Sequence, residues 1–145
     1  MDRTSLSKED RIFIEAFEAC TIPLGDWSHR SHIRMAWIYL RLMRFEEAIN
    51  AVRAGLQQFV RANAVPDSLE RGYHETLTIA WMRLVASAVK HYGEPADSAA
   101  FCDAMPHLLC RTLTRVFYSK DRITTFEAKN RFVPPDLAAL PEPID

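Results

Sequence analysis

Three histidines, His29, His32 and His74, are the residues of this sequence best suited to chemistry. A neutral imidazole binds transition metals, forms hydrogen bonds through both nitrogens and exchanges a proton near neutral pH. His29 and His32 are three positions apart, so on a helix they lie next to each other on one surface. His74 is followed by Glu75, whose carboxylate suits a metal ligand or a general base. Joint action requires elements that bring these side chains together.

The spacing of apolar residues predicts an all-α, single-domain bundle of four main helices with shorter helices towards the C-terminus. Apolar side chains recur at helical intervals almost everywhere, and only four glycines occur in 145 residues. Helix 2 starts after an N-cap at Asp26 or Ser28, and helix 4 ends near His91. A later amphipathic helix is predicted from Leu109 to Val116.

The chain is expected to divide into a helical bundle over residues 1–129 and a tail over residues 130–145. The tail contains Pro134, Pro135, Pro141 and Pro143 and has almost no helical periodicity. Proline fixes its own backbone and disfavours the helical conformation of the preceding residue. We therefore expect an extended segment that packs on the bundle.

Short connections between consecutive helices make helices 2 and 4 run in the same direction. All three histidines lie in the first turns of these helices and on their predicted inward faces, so they should meet at one end of the bundle. The end of helix 1 brings Glu18 into the same neighbourhood, although Glu18 lies off the apolar stripe of its helix and periodicity turns it towards solvent.

Composition excludes several classes of partner. Eighteen basic and nineteen acidic residues give a formal charge of -1, which provides no field for nucleic acid or acidic lipid. No stretch approaches the ~20 apolar residues of a membrane span, and no signal peptide is recognisable. The three cysteines lack metal-binding spacing, as expected of reduced thiols. A cytoplasmic protein is predicted, whose oligomeric state the sequence does not fix.

Several short motifs together resemble an uncharacterised family of small helical bacterial proteins. They are a Trp-x-His-x-x-His motif from Trp27 to His32, a Tyr-His-Glu-Thr motif from Tyr73 to Thr76, and a Val-x-Pro-Asp-Leu motif from Val133 to Leu137. The resemblance implies that the polar end marked by Glu18, the three histidines and Glu75 is the family's site.

Two functional hypotheses follow. In the leading one, the chain is a small metal-binding protein, either a simple binder or a metal-dependent enzyme acting on a small molecule. A divalent transition metal (Zn, Fe, Mn, Ni or Cu) is then held by His29, His32, His74 and Glu18, with Glu75 and Tyr73 as the catalytic residues.

In the second hypothesis, the same pole is a metal-free module that binds a small anionic or carbonyl-bearing molecule. The N-termini of two helices carry partial positive charge, which opposes a cation and attracts an anion. Two further alternatives remain at this point. Inward histidines often only bond to a neighbouring polar group, and a helical scaffold would require an exposed apolar patch that periodicity does not identify.

Overall fold

The helical periodicity of the sequence corresponds to seven α-helices in the computed structural model, which describes residues 2–142. This confirms the all-α prediction and the four main helices within the described residues. None of these helices is long and apolar enough to cross a membrane. In chain order the helices are α1 (Lys8–Glu18), α2 (His29–Leu42), α3 (Phe45–Ala62), α4 (Glu75–Tyr92), α5 (Ser98–Ala104), α6 (Lys120–Ile123) and α7 (Phe126–Asn130).

Polar side chains fix the starts of the two helices that carry the histidines. Ser28 caps α2 in a reciprocal capping box with Ser31, which satisfies amides that the helix itself leaves without a partner. His74 caps α4, because its ring nitrogen Nδ1 accepts a hydrogen bond from the backbone N–H of Leu77 at 3.1 Å. A histidine in this position is an uncommon cap, since serine, threonine, aspartate and asparagine are preferred.

Helix α2 lies at the centre of the main core and packs against α3, α4 and α5. Its buried residues include Ile33, Trp37 and Ile38. Helices α1 and α3 approach closely where Gly55 faces the ring of Phe17, since a Cβ at position 55 would lie 2.5 Å from that ring. This packing leaves the starts of α2 and α4 at one end of the molecule.

The segment after α5 differs from the amphipathic helix predicted from Leu109 to Val116. It contains two short 3-10 helices, Pro106–Leu109 and Leu113–Val116, separated by a turn. The carbonyl of Leu108, which an α-helix would use internally, instead bonds to His29 at 2.8 Å. This contact ties the irregular segment to the start of α2.

The predicted tail packs on the bundle over the residues that the structure describes. Asn130 still belongs to α7, so the extended segment starts one residue later than predicted. Val133 and Leu140 are buried, and the carbonyl of Val133 accepts a hydrogen bond from the hydroxyl of Tyr118 at 2.6 Å. Leu137 is exposed. The end of the predicted tail, residues 143–145, lies outside the described residues, as does residue 1.

Candidate functional site

A cavity of about 490 Å³ lies where α2 and α4 begin, and α3 forms its opposite wall. His29, His32 and His74 all line it, so the structure brings the three predicted histidines to one cavity. The volume is in the range of small-molecule sites, roughly 300 to 1,000 Å³. Most of the other lining residues are apolar, namely Ile33, Met35, Ala36, Val52, Leu56, Val60, Leu77, Trp81 and Met82.

His29, the first residue of α2, faces Trp81 and the irregular segment after α5. Its Nε2–H donates to the carbonyl of Leu108 at 2.8 Å, which leaves Nδ1 unprotonated in the neutral ring. The imidazole meets the indole of Trp81 edge to face, with 4.5 Å between ring centroids. Burial lowers the pKa of His29, and nearby Arg111 lowers it further.

His32 is held by Trp27. The indole Nε1–H lies 3.0 Å from Nδ1 and 3.3 Å from Nε2 of the imidazole, so the unprotonated nitrogen of either neutral tautomer can accept its hydrogen bond. Burial lowers the pKa of His32 to about 4. The ring is therefore neutral at physiological pH, and its protonation would remove the acceptor that Trp27 uses.

His74 uses both ring nitrogens within the fold. Nδ1 is the cap of α4, and Nε2–H donates to the carbonyl of Ile123 in α6 at 3.1 Å. This pattern requires the neutral tautomer with the proton on Nε2. Burial lowers the pKa of His74, which favours the same neutral form.

Arg111 supplies the charge of the cavity. Among the described residues that line it, Arg111 is the only one whose side chain is charged, given neutral histidines. The guanidinium is exposed, and no carboxylate in the described part of the chain pairs with it. The cavity therefore combines an apolar interior, neutral imidazoles and one free cation.

Glu18 does not line this cavity. Its carboxylate receives two hydrogen bonds from Arg3, each 2.7 Å long, and a third from the hydroxyl of Tyr39, also 2.7 Å long. The bonds from Arg3 are the main reason that the pKa of Glu18 is lowered. Glu18 thus ties the N-terminal segment to α2 through its bonds to Arg3 and Tyr39. Neither of these two partners belongs to the motifs of the family resemblance.

Glu75 lies on the far side of Tyr73 from the histidines. It lines a second, more polar cavity of about 570 Å³, and Arg53 binds its two oxygens at 2.9 and 2.7 Å. The hydroxyl of Tyr73 donates to Glu75 at 2.6 Å. These bonds lower the pKa of Glu75, with Arg53 the largest cause. Tyr73 lines both cavities, so of the two predicted catalytic residues only Tyr73 borders the histidine cavity.

The donor groups do not form a ready ligand set for a metal. In the described residues, no group of three or more His, Cys, Asp or Glu side chains is placed to hold an ion. An ion bound by His74 would displace the cap of α4 or the bond to Ile123. The two acidic residues of the hypothesis, Glu18 and Glu75, are engaged by arginines elsewhere. The metal hypothesis stays a prediction.

Sequence reasoning missed Arg111 as part of the site. It falls in the turn between two 3-10 helices, in a segment that periodicity assigns to a helix. Trp27, the first residue of the Trp-x-His-x-x-His motif, lines the cavity and holds His32. The adjacent Trp27 and Ser28 at the start of a histidine-bearing helix were a signal for this role, whereas nothing local marks Arg111.

Comparison with known proteins gives no match: no family model, no curated protein and no solved structure is significantly similar to this chain. The resemblance to a bacterial family, which rests on three short motifs, therefore stays a prediction. Function is argued below from the cavity itself.

Proposed function

We propose that the histidine cavity binds a small organic anion with an apolar body, without a metal ion. The observation that carries the proposal is the free guanidinium of Arg111 beside an otherwise uncharged cavity with largely apolar walls. An apolar body gains from leaving water in proportion to the surface it buries. A carboxylate or sulfonate head would pair with Arg111 where the cavity meets solvent.

The choice of an anion follows from the electrostatics at this end of the bundle. Guanidinium binds planar carboxylates through two parallel hydrogen bonds. The N-termini of α2 and α4, capped by Ser28 and His74, both border the cavity and add partial positive charge. No acidic side chain among the described lining residues opposes an anion.

The histidines have a supporting part in this proposal. Each is neutral because burial lowers its pKa, so none adds a second charge to the cavity. His29 keeps Nδ1 as an acceptor after its Nε2–H has bonded to Leu108. An acidic hydroxyl or amide N–H on the ligand would suit this nitrogen.

Two matched dyes test the proposal directly. 1-Anilinonaphthalene-8-sulfonate carries an anionic group that its uncharged parent, N-phenyl-1-naphthylamine, lacks. We expect the sulfonate to bind the protein more tightly than the parent in fluorescence titrations. Arg111→Ala should reduce the affinity for the sulfonate about tenfold, the usual size of one lost charged hydrogen-bonded pair, and should leave the affinity for the parent unchanged.

Arg115→Ala is the control, since Arg115 is an exposed arginine four positions away that does not line the cavity. It should leave both affinities at the wild-type value. Equal losses of sulfonate affinity in Arg111→Ala and Arg115→Ala would show that general surface charge, and not the cavity, causes the effect. Equal binding of both dyes to the wild type would contradict an anion site.

A further inference from the structure

The histidine cavity and the polar cavity share a wall. Val60, Gly72 and Tyr73 line both of them. Of these residues Tyr73 has by far the largest side chain. Beyond it lies about 570 Å³ of additional space, which is larger than the histidine cavity itself.

Tyr73 is held at both ends. At the ring end its hydroxyl donates to Glu75, which Arg53 fixes with two hydrogen bonds. At the backbone end its carbonyl accepts a hydrogen bond from Nζ of Lys129 at 2.6 Å. Lys129 is itself buried, with only 4% of its side chain exposed. A side chain tethered in this way has little freedom to swing aside.

The lining of the second cavity differs from that of the first. Arg53, Arg61, Asp67, Glu75 and Lys129 give it charged walls. Arg53 pairs with Glu75, and Lys129 pairs with Asp67. An apolar chain that extended from the histidine cavity past Tyr73 would therefore meet charged walls beyond it.

We propose that Tyr73 sets the length of ligand that the site accepts by separating one elongated site into an apolar and a polar chamber. The inference rests on the proposed function and names the ligand class more closely: an unbranched or compact apolar carboxylate that fits the apolar chamber alone. Tyr73 acts as a specificity-determining residue through the bulk of its ring.

A series of straight-chain carboxylates from hexanoate to palmitate tests this inference by calorimetric titration. In the wild type, affinity should rise about fourfold for each added methylene, the factor expected for a buried CH₂, and then stop rising at a limiting length. In Tyr73→Ala the limiting length should increase, with a smaller gain per methylene beyond the wild-type limit because the walls there are charged. Tyr73→Phe retains the ring and should retain the limit.

Leu77→Ala is the control for cavity size, because Leu77 lines only the histidine cavity. It enlarges that chamber without opening the shared wall. With palmitate bound, the side-chain amide signals of Gln57 and Asn130, which line only the polar chamber, should shift in NMR spectra of Tyr73→Ala. They should remain unchanged in Leu77→Ala.

Val60→Ala opens the same wall with a smaller change and provides the test if Tyr73→Ala does not fold, as judged by circular dichroism. An unchanged limiting length in every folded variant of the wall would overturn the role of Tyr73 while leaving the proposed function intact. Absence of any carboxylate binding to the wild type would overturn both.

Discussion

His74 connects three parts of the molecule through one imidazole. It lines the cavity, caps α4 through Nδ1 and donates from Nε2 to the carbonyl of Ile123. A residue with both nitrogens committed to the backbone contributes to stability whatever the cavity binds. The sequence placed His74 correctly at the start of helix 4, but could not reveal the bond to Ile123, because that carbonyl belongs to a short helix 49 residues away.

We predict that His74→Ala lowers the free energy of unfolding by about 1 to 3 kcal/mol, from a lost cap and a lost hydrogen bond to Ile123. His74→Asn should recover the part due to the cap, since asparagine is a favoured N-cap. Urea denaturation of the three proteins measures both effects. Equal stability of His74→Ala and the wild type would show that neither bond matters to the fold.

Histidines with lowered pKa values make the stability depend on pH in a defined direction. Burial lowers the pKa of His32 from its ordinary 6.5 to about 4 in the folded protein, so the unfolded chain binds a proton at this residue first as pH falls. Neutral His32 makes its full contribution to the free energy of unfolding above pH ~6.5. This contribution declines as the pH falls from ~6.5 to ~4, by about 3 kcal/mol at most.

His32→Gln should flatten this decline, because an amide oxygen still accepts from Trp27 but does not titrate. Denaturation between pH ~7 and ~5.5 measures the slope at least one unit above the pKa of ordinary carboxylates, roughly 4. His91→Gln, at an exposed histidine, should keep the wild-type slope. An unaltered slope in His32→Gln would assign the pH dependence to other groups.

At the scale of elements, the loop between α3 and α4 forms part of the wall of both cavities. Lys129 in α7 fixes it, with Nζ bonded to the carbonyls of Arg71 and Tyr73 and paired with Asp67. Gly72 has a φ of +92°, and a Cβ there would lie 2.8 Å from the carboxylate of Asp67. The loop is therefore shaped by one glycine and one buried cation.

We predict that Lys129→Met loosens this loop, because the carbonyls of Arg71 and Tyr73 lose their charged donor, at a total cost of about 1 to 3 kcal/mol. Amide hydrogen exchange over residues 68–74 should accelerate, while exchange in α2 should change little. Lys120→Met, at an exposed lysine in α6, should leave both regions unchanged. Uniform acceleration across the chain would indicate global destabilisation instead.

Long periodic elements were predictable, and irregular ones were not. The stripes of helices 2, 3 and 4 are repeated over three to five turns, so burial specifies their faces. The segment from Pro106 to Val116 is short, so its apolar residues do not repeat over enough turns to specify a helix, and it forms two 3-10 helices instead. Arg111 lies within it, which is why the charged residue of the cavity was the one that periodicity did not identify.

At the scale of the whole molecule, the extended segment after α7 belongs to a second, smaller core. Val133 and Leu140 pack with Ala80, Tyr118 and Ala128. Asp136 accepts hydrogen bonds from the backbone N–H and the hydroxyl of Ser119, which ties the segment to the start of α6. No described residue of this segment lines the histidine cavity.

Truncation after Asn130 should therefore lower the melting temperature clearly, because it exposes the apolar surface that Val133 and Leu140 cover. Below the new transition, the affinity for 1-anilinonaphthalene-8-sulfonate should equal that of the full chain. Thermal denaturation and the dye titration separate the two effects. A changed affinity in the folded, truncated protein would instead make the segment a lid over the site.

Three tryptophans allow the central claim, that the histidine cavity is the binding site, to be tested in one spectrum. Trp27 and Trp81 line the cavity, whereas Trp37 is buried outside it. Titration with octanoate, followed through the indole N–H signals in ¹H–¹⁵N NMR spectra, should shift the signals of Trp27 and Trp81 and leave that of Trp37 in place. Unmoved signals of Trp27 and Trp81 at saturating octanoate, or a larger shift of Trp37, would contradict the account.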